Sequence, residues 1–186
     1  MRPRHDPDAD QAMVDLETMG TDPFCPILSI GACAFRLDTK TPIVDTFYQA
    51  ITLDSCMDLG LRPKASTMLW WFEREKAAQA VMFDKKATTL PLALDAFTDW
   101  WQSRPMAIWG NSARFDCGIL VAAYQACNKQ VPWPFWNERC YRTIKTLPGA
   151  SEVAMKRIGT HHNALDDALS QAAHLRQIMK HLNLVK

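Results

Sequence analysis

The chain has 186 residues, 48% of them hydrophobic and 22% charged, with a net charge of +1. That length and balance fit one domain with a sizeable core and exclude global disorder. The near-zero charge argues against a polybasic, histone-like nucleic-acid binder, and no apolar run approaches the ~18 residues of a membrane span.

Residues 1–11 are polar, contain two prolines and lack an apolar secretory core, so a flexible leader and a cytoplasmic location are expected, with one domain over 12–186. AMVDLE (12–17) reads as a short strand. ILSIGACAFRL (27–37) and PIVDTFYQAI (42–51) read as two more, joined by a turn-like DTKTP, which is the signature of a hairpin or meander. DLGLRPKAS is a loop. Ser66 and Thr67 are N-cap candidates for a helix over 67–81, TMLWWFEREKAAQAV. A second helix is expected over 88–104, with Pro91 in its first turn. MAIWG (106–110) is a short apolar strand, and 114–129 a helix. VPWPFW is a loop, ERCYRTI (138–144) a strand or connector, and 163–183 the clearest helix. The order predicts an α/β fold with one mixed sheet and helices packed on it.

The six cysteines form no CxxC or zinc-finger spacing and read as reduced core residues. The acidic residues are more informative. Asp15 and Glu17, in V-D-L-E-T, lie two apart on a strand and so share a face. Two carboxylates held that close need a compensating cation or solvent. A wet strand face and a divalent-cation site both fit. Asp116 follows the strand MAIWG at a helix start, a position suited both to a ligand site and to helix-dipole chemistry. In T-H-H-N-A-L-D-D-A the spacing relates His162 to Asp167 and, equally, His161 to Asp166. Helical geometry favours Asp167: it flanks an apolar face of Ala164, Leu165, Ala168, Ala172, Leu175, Met179 and Leu182, and Asp166 points almost opposite.

D-x-E early, Asp in mid-chain and H-x-A-x-x-D near the end resemble the DnaQ-like DEDD 3′–5′ exonucleases over about residues 12 to 180. H-x-A fits His162–Asn163–Ala164, and Asn163 stands where the tyrosine-type subclass would have Tyr, so the histidine (DEDDh) subclass is indicated. D-L-E-T-M-G, the WWF helix and P-F-W-N-E-R-x-x-R-T resemble the compact phage and bacterial branch that includes ribonuclease-T-like enzymes. Cys140 stands where that branch suggests an acidic residue.

The resemblance implies a ribonuclease H-like mixed sheet, with an antiparallel meander plus parallel strands. It implies two Mg²⁺ or Mn²⁺ ions held by Asp15, Glu17, Asp116 and Asp167, and His162 as general base. It implies hydrolysis of single-stranded DNA or RNA 3′ ends to nucleoside 5′-monophosphates, and a homodimer as the expected assembly. Thr18, Met19, Gly20, Trp71, Phe115 and His162 are the implied substrate contacts. Trp70 and Trp71 lie about 100° apart on a helix, so at most one is expected deep in the core. Arg139, Arg142 and Lys145 form a small basic cluster suited to phosphates or to a solvated face. His5, His174 and His181 are expected in solvent. A non-catalytic binder or accessory proofreading subunit on the same fold is the competing reading, disfavoured because all five signature residues are present. The near-zero charge then reads differently: without the four proposed ligands the scaffold is cationic, consistent with a grip on a short 3′ end through metals and stacking.

Overall fold

The computed structural model describes residues 6–102 and 104–185. A five-stranded sheet runs in the order β3-β2-β1-β4-β5. β1 (Gln11–Thr18), β2 (Ile27–Phe35) and β3 (Asp45–Ala50) form the expected antiparallel meander. β4 (Ala107–Gly110) joins β1 in parallel, and β5 (Glu138–Cys140) joins β4 in parallel. The mixed sheet predicted from the order of elements is therefore present. All nine residues of β2 and seven of eight in β1 are buried. Helices cover both faces: Phe97, Trp101, Leu120 and Tyr124 pack on one, and Ala168, Ala172, Leu175 and Ile178 on the other.

The helices are α1 (Leu53–Met57), α2 (Ala65–Phe72), α3 (Lys76–Gln79), α4 (Leu90–Trp101), α5 (Asp116–Ala126), α6 (Tyr141–Lys145) and α7 (Ala164–His181). The helix expected over 67–81 is broken after Phe72. The Gln79 side-chain amide donates to the carbonyls of Trp71, Phe72 and Arg74 at the end of the helix, where the regular backbone ladder stops. Ser66 and Thr67 do not cap α2. They lie in its first turn, and Lys64 holds the N-cap position. Asn163 does cap α7, accepting from the backbone of Leu165 and Asp166.

Two further expectations change. Residues 6–10 do not behave as a free leader: Ala9 is buried, and Asp6 accepts two hydrogen bonds from the Arg36 guanidinium. Residues 1–5, His5 among them, lie outside the described residues. His174 is not in solvent. It is buried, with Nδ1 2.6 Å from the Tyr141 hydroxyl and Nε2 2.7 Å from the Val153 carbonyl. Both ring nitrogens are satisfied, which is what allows a polar ring in the core. His181 is exposed and faces Glu152.

All six cysteines are free, four of them buried. Among the described residues, no helix is long and apolar enough to cross a membrane.

Candidate active site

β1 carries the first two acids in the middle of the sheet. Asp15 pairs with Gly31 and Glu17 with Ser29 on β2. Gly31 permits a close approach of helix to sheet: a Cβ at this position would lie 2.1 Å from the carbonyl carbon of Ala164. The N-terminus of α7 therefore rests directly on the sheet, and Asp167, in its first turn, is carried over Asp15 and Glu17. One carboxylate oxygen from each of these three residues lies within 4.8 Å of the others. Gly110 ends β4 in the same manner, since a Cβ would meet the Asp116 Cβ at 2.7 Å. Asp116 is buried at the start of α5, and its Oδ2 accepts from the Ser112 amide at 3.2 Å. It does not join the tight cluster of the other three.

The electrostatics are those of crowded carboxylates. Burial first, then Asp116, Glu17 and Asp167, hold Asp15 well above the ordinary carboxylate range. Burial, with Asp167 and Asp116 adding to it, pushes Glu17 up to about 8. Burial raises Asp116 to about 7 against the pull of several backbone N–H groups. Acids this destabilised in their charged form call for cations. Two protein groups answer in part. Gln171 Nε2 donates to Asp15 Oδ1 at 2.7 Å, and Arg157 Nη1 is paired with Asp167 Oδ1. Neither belongs to the sequence motifs. Gln171 carried a usable signal, because it follows Asp167 by four residues and so shares its side of α7. Arg157 sits in the loop before α7, where no periodicity reports a direction.

His162 reaches the site through its backbone. It adopts a left-handed conformation, φ 63°, and its N–H donates to Asp167 Oδ2 at 3.1 Å. Its ring stands edge-on to Trp70 at 4.9 Å and stacks on His161 at 3.8 Å. Burial, helped by the neighbouring His161, lowers its pKa from the ordinary imidazole value. Asp166 turns away and accepts from the Thr160 amide at 2.7 Å, so the register that pairs His162 with Asp167 is the one the fold realises.

Two cavities meet at Leu16 and Glu17. One, of about 250 Å³, is lined by Asp15, Glu17, Asp167, His162, Arg157 and Lys145. The other, of about 330 Å³, is lined by Thr18, Gly20, Trp70, Trp71 and Phe115. Most of the expected substrate contacts thus share one cavity wall. Met19 does not. Its side chain packs in a small core with Leu28, Trp71, Ala78 and Val81, and its N–H is already bonded to the Pro26 carbonyl. Trp71 is buried, its indole N–H donating to the Thr18 carbonyl at 2.9 Å, and Trp70 is half-buried. Of the basic cluster, Lys145 lines the acidic cavity, and Arg139 and Arg142 lie exposed.

A sequence profile of the Rv2179c-like 3'-5' exoribonuclease domain matches residues 10–179. The chain belongs to that family. It is a 3′–5′ exonuclease. The structure resembles the nuclease domain of 3'hExo, a DEDDh family member bound to rAMP (TM-score 0.63, 15% identity, 95% of this chain and 94% of that one). It also resembles E. coli exonuclease I in complex with a dT13 oligonucleotide (0.65, 12%, 93% and 41%) and the Mg²⁺- and Mn²⁺-bound form of S. pombe Pop2p (0.61, 12%, 92% and 83%). The chain spans less than half the length of exonuclease I. No curated protein matches it by sequence.

Proposed function

We propose that this exonuclease removes nucleotides from the 3′ ends of single-stranded RNA, releasing nucleoside 5′-monophosphates, with two Mg²⁺ or Mn²⁺ ions held by Asp15, Glu17, Asp116 and Asp167. The observation that carries this reading is the convergence of Asp15, Glu17 and Asp167 from two elements to within 4.8 Å. The donor set fits hard divalent cations: it is all oxygen, wholly or partly buried, and raised in pKa by that burial and by mutual repulsion. Such ions, when bound, supply a nucleophilic water at neutral pH and support for the departing 3′-oxygen.

The chain's own groups do the rest. Asp116, fixed by the Ser112 amide, completes the oxygen ligands. Gln171 holds Asp15 in one orientation. His162, at the rim and pinned through its backbone to Asp167, accepts the proton of the attacking water, and its lowered pKa keeps the ring neutral and basic at physiological pH. Trp70 and Phe115 face the adjoining cavity, where a terminal base can stack without sequence preference. Ser66 and Thr67 line the same cavity, and their hydroxyls are of a chemistry suited to a ribose 2′-OH. RNA is preferred to DNA because the family's activity is exoribonucleolytic.

The deciding experiment is degradation of matched single-stranded RNA, single-stranded DNA and duplexes with 3′ overhangs, with Mg²⁺ and with Mn²⁺. Stepwise shortening of the RNA from its 3′ end, abolished by EDTA and by Asp15→Asn, is expected. Activity persisting in excess EDTA, or unaffected in His162→Ala, would refute the mechanism.

A further inference from the structure

Asp167 belongs to two clusters at once. Besides Asp15 and Glu17, its carboxylate stands with the rings of His161 and His162, again with one ligand atom from each within 4.8 Å. The first set is all oxygen and suits Mg²⁺ or Mn²⁺. The second offers two imidazole nitrogens and one carboxylate, a set that suits Zn²⁺.

We propose that His161, His162 and Asp167 form a second metal site, selective for Zn²⁺, whose occupation inhibits the enzyme. Three protein ligands and a water complete a tetrahedral zinc. Zinc donors sit ~2.0–2.2 Å from the metal, which places tetrahedral ligand atoms roughly 3.4 Å apart, so any of the three that stand farther apart, within their 4.8 Å limit, must close up. The closure is local. The His161 and His162 rings are stacked with 20° between planes, so their in-plane lone pairs run side by side and meet at one metal only when one ring turns out of the stack. His161 is exposed and free to turn, whereas His162 is braced by Trp70 and Asp167 is buried. The moving ligand comes to the two fixed ones. Asp167 must also exchange its pairing with Arg157, a half-exposed side chain that can withdraw to solvent.

Zinc held there occupies the imidazole assigned as general base and one carboxylate of the hard-cation site. Each ion weakens the other through the shared Asp167. The inhibition rests on the exonuclease reading; the binding does not.

Metal-stripped wild-type, His161→Ala and His161→Cys chains are titrated with Co²⁺ and then Zn²⁺. The wild type should develop the visible absorption of tetrahedral Co²⁺, lost on adding one equivalent of Zn²⁺. His161→Ala should bind Zn²⁺ at least about tenfold more weakly, since losing a ligand costs no less than losing one of its outer partners. His161→Cys should recover zinc binding and add a sulfur-to-cobalt charge-transfer band. In parallel, the Zn²⁺ concentration that halves each variant's own Mn²⁺-supported hydrolysis should rise by the same factor in His161→Ala. Absence of the cobalt signal in the wild type, or equal zinc affinity in the wild type and His161→Ala, overturns the site. Equal zinc sensitivity in those two chains overturns it as an inhibitory site. A cobalt signal in a wild type that hydrolyses nothing with Mn²⁺ supports the site and refutes the exonuclease reading alone.

Discussion

Gln171 Nε2 donates to Asp15 Oδ1 at 2.7 Å and thereby ties the middle of α7 to the middle of β1. Asp15 also lines the acidic cavity. Gln171→Leu keeps the side-chain volume and removes the donor. The variant should fold, yet bind Mn²⁺ roughly 10–100-fold more weakly, as expected for loss of a ligand's orienting partner. Isothermal titration with Mn²⁺ reads this directly, and unchanged affinity would remove Gln171 from any positioning role.

Arg157 is the nearest protein substitute for a cation at Asp167. Its side chain is 39% exposed, so the pair stabilises the fold by no more than ~1 kcal/mol after screening. Arg157→Ala should therefore melt slightly earlier in EDTA but bind Mn²⁺ more tightly, because the ion no longer competes with a guanidinium. Weaker Mn²⁺ binding in this variant would show instead that Arg157 supports the loaded site.

The raised carboxylates make a pH prediction of definite sign. The folded pKa of Glu17, about 8, exceeds its ordinary 4.5, so the folded state binds more protons across that interval. Stability from this group is full below about 4.5 and is lost as pH rises through 8. His162, lowered from 6.5, works in the opposite direction over its own range. Glu17→Gln removes the effect of one carboxylate. Its advantage in melting temperature over the metal-free wild type should grow from pH 5.5 to pH 8, by roughly 2–4 °C for each kcal/mol relieved at this chain length. Saturating Mn²⁺ should reverse the ranking at pH 8. A constant difference across pH would mean that Glu17 is charged throughout.

Gly31 sets how closely α7 approaches the sheet. In Gly31→Ala the new methyl meets the backbone of Ala164, which cannot yield as a side chain end would. A loss of at least ~1–3 kcal/mol is expected in urea unfolding, as for overpacked cores. Mn²⁺ affinity should fall with it, because Asp167 rides on the displaced helix. Loss of stability with intact Mn²⁺ affinity would break that link.

Trp70 faces both His162 and the second cavity. If a terminal base stacks there, Trp70→Ala should raise KM by the equivalent of ~1–3 kcal/mol per base while kcat changes less. Steady-state kinetics on short single-stranded RNA distinguishes this from a fall in kcat alone, which would place Trp70 in support of His162 instead.

The sequence by itself determined the chemistry-bearing residues and their order. Period-two spacing placed Asp15 and Glu17 on one face, because strand side chains alternate by rule. Helical phase favoured Asp167 over Asp166, and the fold turns Asp166 away to the Thr160 amide. Local rules were weaker at element ends: Ser66 and Thr67 looked like caps, but the chain enters α2 from Lys64. They failed at His174, whose burial depends on Tyr141 and Val153, thirty-three and twenty-one residues away. Only the tertiary structure decided which groups surround the carboxylates. Arg157 comes from an aperiodic loop, and Gln171 meets Asp15 across 156 residues of chain. It also gave Asp167 a second set of neighbours in His161 and His162. Spacing along a chain fixes the direction of a side chain within its own element. Distances between elements are set by packing, here by the missing Cβ of Gly31 that lets α7 rest on the sheet.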